Sequence, residues 1–364
     1  MDEQTAEIAP TDLRAAVASG LLTEAQAAGL RALAHDRAGK RAAMPAEDEP
    51  FEFFRGFSEI FVSVGLTILL SGIGMLLAWI SGATLLIVIP AISAAIAWWW
   101  ATYFTLKRRM NLPSMVLASA YALGVFISAA TLLGQLETSP RSVVVLSSLI
   151  TMAAMALWFR QFRLPFSMFL LGLAGLAAVY GVTGSIDGVR GFGAGFGTGV
   201  FDLRNSPQFS VGTLIFGIAA FVAGMWFDTR DPHRLGRHSA TAFWLHLLAA
   251  PALVNTVAMT LYNIGGSAGM VATTLALVGI AALALVIDRR SFLTAGIVYI
   301  ALVIAWVIQG GGGDSFGQWI AILLILGALI TALGTWWVPL RSTLMRVLPD
   351  FPGKSRLPPY ASAA

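Results

Sequence analysis

Five residues within long apolar stretches are the main candidates for a chemical role in this chain. His246 is the only histidine inside such a stretch, and Asn255 follows nine residues later with Pro251 between them. A proline inside a buried helix leaves a backbone carbonyl without its usual donor, and polar groups held away from water mark candidate functional sites. Together these features predict a polar pocket for a small ligand. Its predicted lining is His246, Asn255, Pro251, Pro90 and Ser93.

The same residues have a second interpretation, which is structural. At about 100° per helical residue, nine residues turn through about 900°, so His246 and Asn255 face opposite sides unless Pro251 reorients them. Each side chain could instead bond one neighbouring helix, as polar groups in helical bundles often do, while the prolines only bend the chain. In the same way, Asp228 and Asp288 end apolar runs beside Arg230 and Arg289, which predicts two local ion pairs.

Several kinds of chemistry have no support in the sequence. The chain has no cysteine, its four histidines are not at metal-ligand spacing, and H-E-x-x-H does not occur. The glycine-rich stretch 183–208 has no G-x-G-x-x-G frame and no P-loop lysine. We therefore expect no catalytic residue, no metal site, no cofactor and no enzymatic activity.

The elements that carry these residues are long apolar runs. The chain has 364 residues, of which 57% are hydrophobic and only 12% are charged. A bilayer core of about 30 Å needs roughly 20 helical residues. The predicted fold class is an all-α, polytopic transmembrane helical bundle of about ten spans with a small N-terminal helical hairpin. The predicted spans are 60–80, 84–105, 113–136, 141–159, 164–182, 209–228, 240–262, 268–287, 291–309 and 317–338.

The basic residues predict how these spans are threaded. Of the 23 lysines and arginines, only Arg141, Arg190 and Arg204 fall in one set of alternate loops, and the other set, with the termini, holds the rest. Cytoplasmic loops carry the excess of Lys and Arg. The sequence therefore predicts a bacterial inner-membrane protein with both termini in the cytoplasm. The net charge of +4 follows from this bias, so we expect no nucleic-acid partner.

The N-terminal part, residues 1–50, predicts a cytoplasmic headpiece and linker. Thr11 and Asp12 open one short helix that Gly20 ends, and Thr23 with Gln26 has the spacing of a capping box that opens a second. The membrane domain is predicted at 51–339. It starts with Phe53, Phe57 and Phe61 on one helical stripe, which indicates either an interfacial helix or an ordinary aromatic belt. Residues 340–364 are predicted to be a basic tail, disordered after Pro349.

Two patterns of internal repetition compete. An inverted repeat would divide the membrane domain into 60–182 and 209–338, since both halves open with a Ser-Val-Gly-like segment and carry a Pro-Ala in their second span. In contrast, the similar turns LKRRMNLPS and FRQFRLPFS favour two-helix units that repeat in the same direction.

The headpiece segment Ser19–Ala27, SGLLTEAQA, resembles the N-terminal segment of a domain-of-unknown-function family of bacterial polytopic membrane proteins. The resemblance implies a bacterial inner-membrane location and assigns no activity. Two functions are expected from the sequence as a whole. One is a secondary transporter or permease for a small, weakly charged or amphiphilic molecule. The other is an envelope scaffold or accessory protein that binds a membrane-protein partner, or a second copy, through residues 1–50.

Overall fold

A computed structural model describes residues 10–37, 56–81, 87–136, 139–183, 201–234, 236–309 and 315–360. These residues are almost entirely helical, and they contain no β-strand. Two compact units make up the chain. The first unit is Phe51–Ala220, and the second unit combines Phe221–Ala364 with Met1–Pro50. The predicted headpiece therefore belongs to the same unit as the C-terminal helices.

Within the described residues, the first unit contains five helices and the greater part of a sixth. Its helices are α3 (Phe57–Ser81), α4 (Val88–Ala101, with a π-helical turn at Thr102–Lys107), α5 (Asn111–Gln135), α6 (Pro140–Phe162) and α7 (Phe166–Thr183), followed by the greater part of α8 (Pro207–Asp228). Phe57 and Phe61 of the predicted aromatic stripe lie in the first turns of α3 with their rings 4.9 Å apart, and both are exposed. Phe53 of that stripe lies outside the described residues.

The second unit begins with the headpiece, α1 (Pro10–Ser19) and α2 (Glu24–Arg37), and includes the last residues of α8. Its remaining helices are α9 (Arg237–Tyr262), α10 (Gly266–Ile287), α11 (Ser291–Gln309), α12 (Ser315–Thr335), α13 (Trp337–Val347) and a short 3-10 turn at Lys354–Arg356.

The helices fit the predicted fold class of a transmembrane helical bundle. Over their described residues, the first nine predicted spans each fall on one helical segment, whereas the tenth, 317–338, crosses the bend between α12 and α13. Among the described residues, eight helices are long and apolar enough to cross a bilayer, and α12 with α13, bent by 69° at their junction, would make a ninth. The all-α membrane architecture is thus confirmed, with fewer qualifying helices than the ten spans that the sequence predicts.

The core of the first unit is aromatic. Trp158 lies at its centre, with ring centroids 5.5 Å from Trp98, 4.8 Å from Tyr121 and 4.5 Å from Phe162. The surrounding buried side chains are Leu66, Leu117 and several alanines, which let the helices approach closely. Dispersion between packed rings therefore holds this unit together.

The predicted helical hairpin of the headpiece is confirmed. The Thr23 N–H donates to Gln26 Oε1 over 2.9 Å, and the Gln26 N–H donates to Thr23 Oγ1 over 3.2 Å. This reciprocal pair is the capping box that the sequence predicts. Gly20 has a φ of +77°, the left-handed conformation that ends a helix.

The C-terminal tail differs from the prediction. Disorder is predicted after Pro349, whereas the structure describes the chain as far as Tyr360. Arg341 donates from Nη1 to the carbonyl of Pro359 over 3.2 Å and from Nη2 to that of Pro358 over 2.5 Å. A guanidinium with five donors can fix a proline-rich segment whose carbonyls have no helical partners. The composition of the tail gives no sign of this anchor.

Candidate functional site

The second unit contains a network of buried charges around the end of α8. Asp228, the last residue of α8, accepts hydrogen bonds from two nitrogens of Arg289, which follows the end of α10. The bond from Arg289 Nε is 3.1 Å long. Arg289 also donates from Nη2 to the carbonyl of Ser239 over 3.2 Å. Both charged side chains are buried, so each neutralises a charge that would otherwise be costly away from water.

His246 completes this cluster. Its Nε2 lies 2.9 Å from Asp228 Oδ2, at hydrogen-bond distance, so a protonated Nε2 donates to the carboxylate. The ring is fully buried between Phe221 and Phe292. Gly224 of α8 lies against it so closely that a Cβ there would be 2.9 Å from the imidazole. The cluster Asp228–His246–Arg289 therefore joins α8, α9 and the α10–α11 turn.

A second cluster forms around Asp288 at the end of α10. This residue has a φ of +57° and ends the helix in the left-handed conformation. Its Oδ2 lies 3.1 Å from Arg234 Nη2, and its Oδ1 accepts a hydrogen bond of 2.6 Å from Trp337 Nε1. Arg341 Nε is 3.7 Å from the same carboxylate and donates to the carbonyl of Leu285 over 3.0 Å. Asp288 thus links the α8–α9 loop to α13.

The N-terminus of α9 is capped by two carboxylates. Asp231 Oδ2 accepts from the N–H groups of Gly236, over 2.9 Å, and Ser239, over 3.3 Å. Glu24 of the headpiece accepts from the N–H of Arg237 over 3.0 Å. Carboxylates favour this position because the first N–H groups of a helix have no partner within it and carry positive partial charge.

Glu24 therefore docks the headpiece on α9, and neighbouring groups support the contact. A Cβ at position 236 would overlap the Glu24 side chain, so a larger residue there would require the carboxylate to move. His238 Nε2 lies 3.5 Å from Glu24 Oε2, and Arg237 Nη2 donates to the carbonyl of Ala18 over 3.3 Å. We call this contact the headpiece latch, formed by Ala18, Glu24, Gly236, Arg237 and His238.

Two ionisable groups at the headpiece have shifted pKa values. Burial raises the pKa of Glu24 above its usual 4.5, against the lowering effect of His238. Burial lowers the pKa of His233 below its usual 6.5, and Arg31 of the headpiece lowers it further. The surroundings of Glu24 and His233 in the structure therefore disfavour the charged form of each side chain.

The structure gives the five residues of the predicted pocket different surroundings. His246 is fully buried against α8, whereas Asn255 is half-buried and its carbonyl accepts a long, 3.5 Å bond from the hydroxyl of Tyr299 on α11. The nine residues between them span about 13.5 Å along a continuous helix. Pro251 lies inside α9 and is exposed. The pocket around these residues stays a prediction.

Pro90 and Ser93 belong to the first unit. Pro90 lies in the first turn of α4, where its missing N–H removes no helical bond, so it does not free a carbonyl as the sequence analysis expected of an interior proline. Its own carbonyl lies against Gly124 of α5, where a Cβ would overlap it. Ser93 is half-buried on the same helix. Pro90 and Pro251 therefore do not occupy equivalent positions, since one lies in the first turn of its helix and the other lies in the interior.

The predicted local ion pairs at Asp228 and Asp288 are wrong in their partners. Asp228 pairs with Arg289, and Asp288 pairs with Arg234, so each aspartate bonds an arginine distant in the sequence. Arg230 instead places its guanidinium 3.3 Å from the ring centroid of Trp226, a cation–π contact. The sequence gives little sign of the true partners, because each aspartate already has an arginine within two residues that could pair with it.

The charge clusters offer no evident metal site, since no group of three acidic or histidine side chains within the described ranges could hold an ion. Comparisons with protein-family models, with curated proteins and with solved structures gave no match to the chain. The structure and the sequence together support one identification: the chain is an α-helical protein of the multi-pass membrane class.

Proposed function

We propose that this chain is a multi-pass protein of a bacterial cytoplasmic membrane, with both termini in the cytoplasm. The distribution of lysine and arginine between alternate loops supports this orientation. The resemblance of Ser19–Ala27 to the headpiece segment of uncharacterised bacterial membrane proteins supports the location. On this orientation the headpiece latch lies on the cytoplasmic face.

Within that membrane, the protein acts as a non-catalytic accessory protein whose headpiece is the interaction module. The headpiece latch is the observation that carries this proposal, because it docks α1 and α2 on α9 by a few polar contacts. The Glu24 and His238 side chains remain 27% and 40% exposed, and such exposed ion pairs contribute little to stability. The headpiece can therefore leave α9 and bind a partner instead at little cost in free energy.

The surface of the headpiece supports a partner of apolar character. Only Val17 and Ala27 are buried hydrophobic residues within the described part of α1 and α2, while Leu21, Leu30 and Leu33 are exposed. A hairpin of this size buries too little apolar surface to be stable alone. Its exposed leucines suit a membrane-protein partner or a second copy of the chain.

A deletion strain tests this proposal through whichever growth phenotype the loss of the gene produces. Replacing the chain by a variant without residues 1–50, or by Glu24→Arg, should reproduce the loss, whereas Asn255→Ala and Pro251→Ala should restore growth. Glu24→Gln is the matched control, because it keeps the shape of the side chain and one acceptor oxygen. Full activity of the variant without residues 1–50 would contradict the proposal, provided that the variants reach equal levels in the membrane.

The second candidate is a permease for a small, weakly charged or amphiphilic molecule, and the face of α9 opposite His246 favours it. Leu247, Pro251 and Asn255 recur at four-residue spacing, and each is partly or fully exposed in the otherwise mostly buried middle of this helix. Pro251 cannot donate to the carbonyl of Leu247, which leaves an acceptor one turn from Asn255. If Asn255→Ala and Pro251→Ala abolish the phenotype while the variant without residues 1–50 retains it, the permease is the better account.

A further inference from the structure

Helix α13 buries two polar side chains and exposes large apolar ones. Its inward positions, at the spacing of one helical face, are Trp337, Arg341, Ser342 and Met345. Its outward side carries Leu340 and Val347, which are 40% and 78% exposed, together with the exposed polar residues Thr343 and Arg346, and Trp336 precedes it at 60% exposure. An exposed side that is apolar with polar residues beside it suits a boundary between lipid and water.

The inward contacts fix this orientation. Trp337 donates to Asp288 over 2.6 Å, and Arg341 donates to the carbonyls of Leu285 and of the tail prolines. Trp337 and Arg341 lie one turn apart on one face of α13, so rotation of the helix about its axis would break hydrogen bonds that each involve a charged group. Each such bond is worth more than a bond between neutral groups. These inward bonds therefore keep Leu340 and Val347 on the exposed side of α13.

The position of α13 in the chain indicates what covers that face. The helix follows α12, a long apolar helix whose Leu323 and Leu324 are exposed, and the axes bend by 69° between Leu323–Thr335 and Trp337–Val347. An amphipathic helix that turns sharply at the end of a span lies along the membrane surface. Trp336 at the bend and Arg346 on the exposed side suit the headgroup level, where tryptophan and arginine are common.

We propose that α13 is an interfacial helix, with Leu340 and Val347 in the acyl chains of the bilayer at the boundary where α12 ends. Its partner is lipid. This inference is independent of the headpiece function, and it uses only contacts within the second unit. It also gives Asp288 a role, because this one side chain fastens the interfacial helix to Arg234 in the α8–α9 loop.

The absence of cysteine from the chain allows a direct test, since single cysteines need no background removed. The full chain carrying Leu340→Cys or Val347→Cys is spin-labelled and reconstituted in vesicles of equal parts phosphatidylcholine and phosphatidylglycerol. Collision with oxygen, which concentrates in lipid, and with a water-soluble nickel chelate is then measured by power-saturation electron paramagnetic resonance. Asp350→Cys is the control in water, because its side chain is 99% exposed beyond the helix.

The proposal expects both labels on α13 to collide strongly with oxygen and weakly with nickel, at a depth of about 5–10 Å below the phosphates. Nickel collision equal to that at position 350 would overturn it, because the face would then be in water. Weak collision with both reagents would also overturn it, because protein would then cover the face. Gel filtration of each labelled variant shows whether it has folded, and both positions are exposed, so neither label has to enter the core.

Discussion

The two units hold their helices together by different means. In the first unit, aromatic rings around Trp158 pack with leucines and alanines. In the second unit, three helix ends meet at buried aspartates and arginines, and the α9 helix between them is mostly buried. Lipid chains are as apolar as leucine, so burial of apolar surface drives helix association weakly in a bilayer. The first unit therefore depends on close packing, and the second depends on paired charges.

In both units a glutamate caps the N-terminus of a helix, but the two glutamates differ in how far they are buried. Glu59 of the first unit accepts from the N–H groups of Asn111 and Leu112 at the start of α5, over 3.1 Å each. Glu24 accepts from Arg237 at the start of α9. Glu59 is buried, whereas Glu24 is partly exposed. The comparison indicates a permanent cap within the first unit and an exchangeable one at the headpiece.

The largest expected effect comes from breaking the buried pair of the second unit. Arg289→Ala leaves Asp228 as a buried charge that only His246 and nearby dipoles compensate, and should lower the free energy of unfolding by about 3–5 kcal/mol. Unfolding in mixed micelles measures this. Replacing both partners, by Asp228→Leu with Arg289→Leu, should recover much of the loss, since no charge is then left unpaired. A double variant as unstable as Arg289→Ala would contradict the proposed cause.

A smaller loss is expected when the core of the first unit is opened. Trp158→Ala removes the ring that three other aromatic residues contact and leaves a cavity, at a cost of about 3 kcal/mol. The same unfolding measurement applies. Trp99→Ala, at an exposed position of the neighbouring helix, is the matched control and should change stability little. Equal effects of the two substitutions would show that the aromatic cluster does not hold the unit.

The two capping glutamates sharpen the comparison further. Glu59→Ala leaves two helix N–H groups without their acceptor and should cost about 1–2 kcal/mol. Glu24→Ala should cost about 0.2–1 kcal/mol, because water can reach the groups it leaves. Thermal unfolding of the two variants gives the order. If Glu24→Ala is the more destabilising, the headpiece is an integral part of its unit and not an exchangeable one.

The smallest effect is a pH dependence of headpiece docking. The docked headpiece brings Arg31 to His233 and lowers the pKa of that imidazole further below 6.5, so the contribution of His233 to docking is fully present above pH 6.5 and is lost as the pH falls through the lowered pKa. Glu24, with a raised pKa, acts in the opposite direction at pH values above about 4.5. The difference between wild type and His233→Gln isolates the first effect.

That difference can be followed as the distance between spin labels at Ala25→Cys and Asp350→Cys, both exposed positions in the same unit. On acidification below pH 6.5 the wild-type distance distribution should broaden before that of His233→Gln does. Identical profiles for the two proteins would remove His233 from the account of docking.

The sequence predicts the helices and the headpiece well, for a physical reason. Span positions follow from runs of apolar residues, and the capping box at Thr23 and Gln26 depends on residues three apart. Both signals are local. Pro90 shows the limit: its place in the first turn of α4 depends on where the helix begins, and an uninterrupted apolar run does not mark that point.

The candidate site is less predictable, because its bonds join distant residues. Asp228 bonds to Arg289 and Asp288 bonds to Arg234, although an arginine is closer in the sequence to each aspartate. The choice depends on which helix ends meet, and that is a property of the packing. Likewise, Gly224 and Gly236 leave room for His246 and Glu24, and this follows only from how closely those side chains approach them. A glycine in an apolar stretch and another in a loop are otherwise unremarkable.

The headpiece latch is tested most directly by a disulfide within it. In the structure, a Cβ at position 236 would lie 2.3 Å from Glu24 Cγ, which brings cysteines at these two positions within reach of a disulfide, and the chain has no other cysteine to compete. Glu24→Cys with Gly236→Cys should therefore oxidise readily in native membranes to an intramolecular disulfide, seen as fragments that stay joined after cleavage between the two positions. Leu30→Cys with Gly236→Cys is the control. Oxidation no faster than in this control would contradict the docked headpiece.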